Sequence, residues 1–133
     1  MVANKGAWEH PPVAMTVLIV DDHLEFRRAA RLLLEAQGVL VVGEAHDGAE
    51  GVQAASDLQP DIVLLDVMLP DIDGITVADQ MSRLANPPVV VLISSRRHRD
   101  FGPRLDQCSA RAFVHKGDLS GEVLASLTTG WQS

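Results

Sequence analysis

Residues 62–74 read Ile-Val-Leu-Leu-Asp-Val-Met-Leu-Pro-Asp-Ile-Asp-Gly, and this stretch decides the fold. Ile62–Leu65 is an apolar run of strand length that does not alternate with polar residues. Strands buried on both faces read this way, and they belong to parallel sheets covered by helices on each side. The run ends in a carboxylate, Asp66, and Pro70 follows four residues later. Asp71, Asp73 and Gly74 have the composition of a loop that starts a helix.

Four more runs of the same kind lie outward from this segment: Val17–Val20, Val39–Val42, Val89–Ile93 and Ala112–Val114. Stretches with helical spacing separate them. Leu24–Gln37 places Phe26, Ala30, Leu33 and Leu34 on one side, and Gly38 stops it. Asp47–Leu58 carries Ala49, Val52, Ala55 and Ser56 and ends at Pro60, while Ile75–Leu84 carries Ile75, Ala78, Met81 and Leu84. Residues 99–109 are weakly patterned around Phe101, Leu105 and Cys108. Asp118–Leu127 carries Leu119, Val123, Leu124 and Leu127, with Asp118 as the expected cap. Five strands alternating with five helices predict an α/β fold, a doubly wound five-stranded parallel sheet ordered 2-1-3-4-5. One domain is expected over residues 15–128. Residues 1–14, with Gly6, Pro11 and Pro12 and no periodicity, and residues 129–133 are expected as tails.

Composition removes several classes of function. Apolar residues make 47% and charged residues 22% of the 133, which excludes bulk disorder. Cys108 stands alone, so no internal disulfide framework exists and a reducing compartment, the cytoplasm, is expected. The apolar runs are too short to cross a membrane, and the N-terminus lacks the pattern of a secretion signal. A net charge of −7 argues against direct binding to nucleic acid or to an anionic membrane surface. The charge is uneven: residues 1–93 hold 5 basic and 14 acidic side chains, and residues 94–116 hold 6 basic and 2 acidic.

In a doubly wound sheet the working crevice lies beyond the carboxyl ends of the strands. The residues there are Asp21 and Asp22, Asp66, Ser94 and Ser95, and His115 and Lys116. Singly, each has an ordinary explanation as a cap, a turn former or a solvated side chain. Together they do not. Three carboxylates at one sheet edge cannot all stay ionised cheaply without a cation, and a partly hydrated Mg²⁺ with oxygen ligands resolves the conflict. Lys116 and Ser94 add an ammonium and a hydroxyl, so the group as a whole suits a phosphoryl carried on Asp66.

The segments Val17–Asp22 (VLIVDD), Ile62–Gly74 (IVLLDVMLPDIDG) and Ala110–Lys116 (ARAFVHK), with Ser94, resemble the receiver domain of bacterial two-component response regulators. That domain has a flavodoxin-like fold, and the resemblance covers roughly residues 15–128. It implies that Asp66 accepts a phosphoryl group from a sensor histidine kinase or phosphotransfer protein. It implies Mg²⁺ held directly by Asp22, mainly through water by Asp21, and also by Asp66 and the backbone carbonyl of Met68. Lys116 would pair with Asp66 and the phosphoryl group, Ser94 would hydrogen-bond a phosphoryl oxygen, and Phe113 would be the switch aromatic. Three positions depart from the family pattern: Leu69 for methionine, Ser94 for threonine and Gly117 for proline, the last removing the expectation of a cis peptide.

Competing signals are weaker. Asp71-Ile72-Asp73-Gly74-Ile75-Thr76 superficially resembles the aspartate motif of haloacid-dehalogenase-like phosphatases, but Asp71 does not sit at a strand end. No phosphate-binding glycine loop and no Gly-x-Ser-x-Gly elbow is present. The five histidines, His10, His23, His46, His98 and His115, lack metal-ligand spacing. The basic strip Arg96, Arg97, Arg99, Arg104 and Arg111 could touch phosphate, though a solvated helix start is the simpler account.

The reading is therefore a receiver that catalyses only its own phosphorylation and dephosphorylation and signals by protein–protein contact, with no residues left over for an output domain. The face made by the fourth helix, fifth strand and fifth helix is expected to meet an acidic partner or a second copy in a homodimer. The alternatives are the receiver half of a truncated DNA-binding regulator and, further off, a small aspartate-dependent phosphatase.

Overall fold

The computed structural model describes residues 15–127, so the tails assigned to 1–14 and 129–133 lie outside the described residues. Five parallel strands, β1 (Thr16–Val20), β2 (Leu40–Ala45), β3 (Ile62–Asp66), β4 (Val89–Ser94) and β5 (Ala112–His115), form one sheet in the order β2-β1-β3-β4-β5. The helices are α1 (Leu24–Ala36), α2 (Gly48–Leu58), α3 (Gly74–Met81), α4 (Pro103–Gln107) and α5 (Gly121–Leu127). This is the doubly wound α/β architecture that the alternating runs predict.

The unbroken apolar runs follow from the two faces of the sheet. Leu18, Val20, Val63, Leu65, Val90 and Leu92 pack on Ala55, Ile75, Val77, Ala78, Met81 and Leu105 of α2, α3 and α4. The intervening residues Val17, Ile19, Ile62, Leu64, Val91 and Ile93 pack on Ala30, Leu34 and Leu124 of α1 and α5. Each such side chain contributes about 1.5–3 kcal/mol by leaving water. The pairs Val20↔Leu65 and Leu65↔Leu92 keep the strands in register, so their carboxyl ends finish at one edge.

Several local expectations are corrected. The second strand runs over Leu40–Ala45 rather than Val39–Val42, because β2 is an edge strand and half-buried. Its register slips between Val17 and Leu18, and it carries Glu44 on a side where arginines neutralise it. Leu33 is not on the buried side of α1; Ala30 and Leu34 are, and Leu32 and Leu33 are exposed. In α2 the buried positions are Gly48, Gly51 and Ala55, whereas Ala49 and Ser56 face outward. The third helix ends at Met81 and not at Leu84.

Residues 99–109 are not one helix. A 3₁₀ turn (His98–Phe101) gives way at Gly102 to the five-residue α4. Gly102 has φ 70° and ψ −165°, a region open only to glycine, and Pro103 then restarts the helix at its first position. Asp118 is not the cap of α5, because it lies in a 3₁₀ turn (Lys116–Asp118). Ser120 caps instead, its Oγ accepting the Val123 N–H at 3.1 Å. Asp73 starts α3 as expected, accepting from the backbone N–H and the hydroxyl of Thr76 at 2.9 and 3.0 Å.

Candidate functional site: an acidic pocket at the carboxyl edge of the sheet

Strand order reverses beside β1, and the pocket opens where β1 and β3 end. Asp21, Asp22 and His23 follow β1, Asp66 ends β3, Ser94 ends β4, and Lys116 follows β5. A cavity of about 320 Å³ is lined by Asp22, His23, Asp66, Met68, Ser94 and Lys116, with Leu69, Pro70 and Ser95 at its margin. Residues from 22 to 116 thus meet at one opening.

Asp21 is wholly buried. Its Oδ1 accepts the backbone N–H of His23 at 2.8 Å and faces the His23 ring at 2.9 Å. Its Oδ2 accepts no hydrogen bond of good geometry; the Lys116 ammonium lies 2.6 Å away as an ion pair. Lys116 Nζ is also 3.4 Å from Asp66 Oδ2, and it sits over the ring of Phe26 at 4.4 Å from the centroid. One ammonium therefore serves two carboxylates, with Asp21 the nearer. The aromatic face holds the cation while its other side stays on the acids.

Asp66 is 3% exposed. Its Oδ1 accepts the Met68 N–H at 3.0 Å, which turns the chain sharply after the strand. Burial pushes the Asp66 carboxyl above the usual range, and the Asp21 charge adds to this, while the Met68 N–H and Lys116 pull the other way. Gly74 makes the turn possible: its N–H donates to Val67 O at 2.7 Å, and a Cβ there would meet the Asp66 carbonyl and lie 2.7 Å from Val67 Cα. Ser94 is 2% exposed, and its Oγ accepts the Arg96 N–H at 3.0 Å, leaving the hydroxyl hydrogen to turn toward the cavity. His115 fixes the adjoining loop. Its Nδ1 accepts the Gly117 N–H at 3.1 Å, so its Nε2 carries hydrogen and donates to Ser95 O at 3.0 Å.

The donor set fits a hard divalent cation. One ligand atom from each of Asp21, Asp22, His23 and Asp66 lies within 4.8 Å of all the others. Asp21 and Asp66 share one ammonium and Asp22 has no lysine or arginine partner among the described residues, so the three carboxylates carry more negative charge than Lys116 offsets. Oxygen ligands around uncompensated negative charge are what Mg²⁺ binds.

Phe113 lies outside the pocket. It is half-buried on β5, with its ring edge-on to His98 at 5.6 Å between centroids and tilted against Phe101 at 5.9 Å. A second cavity of about 240 Å³ beside it is lined by Leu92, His98, Leu105, Asp106 and Arg111. The basic strip is divided: Arg111 borders this cavity, whereas Arg96 and Arg104 border a groove with Met68, Leu69 and Phe101.

Sequence reasoning missed His23, Phe26 and the linking role of His115. Adjacency to Asp21–Asp22 was a signal for His23. Nothing in the sequence pointed Phe26 at Lys116, since that contact joins the first helix to the end of the last strand.

Fold and pocket together place the chain among the doubly wound α/β domains that work at the carboxyl edge of their sheet. It belongs to the response regulator receiver domain family, whose pattern matches residues 17–127. The chain is similar to the transcriptional regulatory protein LiaR of Bacillus subtilis, 44% identical over 108 residues, covering 80% of this chain and 51% of that protein. It is also similar to the response regulator GacA of Pseudomonas syringae pv. syringae, 35% identical over 112 residues, covering 84% of this chain and 52% of that protein. Among solved structures, the signal receiver domain of NarL from Mycobacterium tuberculosis matches with a TM-score of 0.80 at 31% identity, covering 90% of this chain and 99% of that one. The chain spans about half the length of the curated relatives it matches. Receiver domains act in two-component signal transduction, where they take phosphate from histidine kinases and bind Mg²⁺ at an acidic pocket. Among the described residues, no helix is long and apolar enough to cross a membrane.

Proposed function

We propose that Asp66 is the phosphoacceptor of this receiver, and that Asp21, Asp22, Asp66 and the Met68 carbonyl hold Mg²⁺. The observation that carries this is the state of Asp66: a nearly buried carboxylate at a strand end, with its Oδ2 3.4 Å from Lys116 and its pocket open to solvent beside Ser94. An Asp66 oxygen attacks the phosphorus of a phosphohistidine, the P–N bond breaks, and the electron pair leaves with the imidazole. When bound, Mg²⁺ supplies the positive charge that offsets repulsion between the acids and the phosphoryl oxygens. Lys116 neutralises part of the charge on the acceptor, and the Ser94 hydroxyl donates to a phosphoryl oxygen. Ser94, moving toward that oxygen, vacates space into which the ring of Phe113 can rotate.

The chain catalyses this reaction only on itself. Its lone cysteine supports the cytoplasm as its place of work. The output is protein–protein contact through α4, β5 and α5. Arg96, Arg97, Arg99 and Arg111 make no side-chain ion pair with any described residue, which favours an acidic partner over a self-contact between like charges. LiaR is a transcriptional regulatory protein; if this chain is part of a DNA-binding regulator, the same face passes the signal within it.

The test is intact mass after treatment with acetyl phosphate and Mg²⁺. The protein should gain about 80 Da, one phosphoryl unit. Asp66→Asn should gain nothing, and equal adduct in that variant would overturn the assignment.

A further inference from the structure

We infer that His23 is a fifth protein ligand of the acidic metal site, beside Asp21, Asp22, Asp66 and the Met68 carbonyl, and that it strengthens the site's preference for first-row transition cations such as Co²⁺, Ni²⁺ and Zn²⁺ over Mg²⁺. This rests on the reading of Asp21, Asp22 and Asp66 as a metal site, and adds a nitrogen that no ligand spacing along the chain marked.

The spacing of the donors carries the argument. The Nδ1 of His23 lies 2.9 Å from Asp21 Oδ1, 3.3 Å from Asp22 Oδ1 and 4.0 Å from Asp66 Oδ2. In an octahedral shell with bonds of about 2.1 Å, adjacent donors lie about 3.0 Å apart and opposite donors about 4.2 Å apart. His23 thus stands beside the two β1-end carboxylates and across from Asp66, where a ligand of the same ion would stand. Asp21 divides its oxygens accordingly. Oδ2 faces Lys116, while Oδ1 faces the cluster.

The ring is held at the cluster by a hydrogen bond from Nδ1 to Asp21 Oδ1 at 2.9 Å. The same oxygen also accepts the His23 backbone N–H at 2.8 Å, so backbone and ring of His23 both converge on one carboxylate of the cluster. The ring side chain is 65% exposed and could turn to solvent, yet its Nδ1 points inward. Nδ1 donates to Asp21 Oδ1 here, and no described residue pairs with Nε2, so when a cation takes the Nδ1 lone pair the ring hydrogen can be carried on Nε2 instead. Imidazole is a borderline donor that suits Co²⁺, Ni²⁺ and Zn²⁺, whereas Mg²⁺ prefers oxygen. Adding one nitrogen to three carboxylates therefore raises affinity for those ions far more than for Mg²⁺.

The test is a Co²⁺ titration of untagged protein followed by visible absorption and paramagnetic proton NMR, with Mg²⁺ affinity measured in parallel by calorimetry. The wild type should show an exchangeable, hyperfine-shifted imidazole N–H. His23→Asn should lose that resonance and bind Co²⁺ at least about tenfold more weakly, with Mg²⁺ affinity changed by less than about threefold. Unchanged Co²⁺ affinity and spectrum in His23→Asn would overturn the inference. Asp22→Ala separates the two readings. Loss of both metals in Asp22→Ala with no effect of His23→Asn removes only the histidine ligand. Retention of both metals in Asp22→Ala removes the site itself and the inference with it.

Discussion

Residues 16–81 and residues 95–111 both reach the rim of the acidic pocket, and they are held in different ways. The first region is bound together by charge and by reciprocal hydrogen bonds. Glu44 on β2 receives Arg27 Nε at 3.0 Å and Arg31 Nε at 2.8 Å from α1. Thr16 and Asp61 exchange two hydrogen bonds at 2.9 Å, and Asp71 accepts the N–H groups of Gly48 and Ala49 at 2.7 and 3.0 Å. The second region is a 3₁₀ turn, a glycine-only bend and a five-residue helix. Its ties back to the molecule include Arg104 to Asp73 and Ser109 to Asp79. Residues that must hold a cation and an acceptor oxygen in place sit in the stiff region, and residues that must respond sit in the loose one.

Hydrogen exchange should show this contrast at its largest. Amides of α1 at Ala30–Leu34 should exchange on the order of 100-fold more slowly than those of α4. Equal protection would remove the distinction between the regions.

A pair of glycines sharpens it. Gly74→Ala drives a methyl group into the Asp66–Val67 backbone and should cost about 3 kcal/mol in a denaturant titration. Gly102→Ala meets no atom within 4 Å, so only backbone strain remains, about 1–2 kcal/mol. A larger cost at Gly102 would mean that the loose segment is the more constrained one.

Two ion pairs extend the comparison. Glu44→Gln should cost roughly 1–2 kcal/mol at neutral pH, between the values for exposed and buried pairs. Burial pushes the Glu44 carboxyl up, but hydrogen bonds from Arg31 and Arg27 outweigh it and hold it below its ordinary value. Its contribution is thus present above the ordinary carboxylate range and lost as pH falls through the lowered value, so the variant and the wild type should converge in acid. His98 and Asp106 pair at 2.8 Å but are both largely exposed, and Asp106→Asn should change stability by less than about 1 kcal/mol.

The smallest effect expected is a gain. Because burial raises the Asp66 carboxyl, its ionised form opposes folding at neutral pH, and Asp66→Asn should raise Tm by a few degrees in chelator. The gain should be complete above the raised value and vanish as pH falls through the ordinary carboxylate range, where Asp66 is protonated in both states. A destabilised variant would place the pocket's strain elsewhere.

Sequence alone determined the sheet. Unbroken Val, Ile and Leu runs have one inexpensive home, a strand covered on both faces, and their alternation with helical stretches dictates parallel pairing. The residues after those runs could therefore be named in advance as neighbours: Asp21, Asp22, Asp66, Ser94 and Lys116. Periodicity was silent where a segment is short or half-buried. The length of β2, the break at Gly102 and the cap at Ser120 depend on a partner strand, a single φ angle and one hydroxyl, none of which leaves a repeating trace. Only the tertiary structure decided which carboxylate holds Lys116 most closely, that Phe26 lies beneath its ammonium, and that His23 turns inward. Those contacts join side chains from different elements. Their geometry is set by how strands and helices pack, and local sequence constrains it only through the fold.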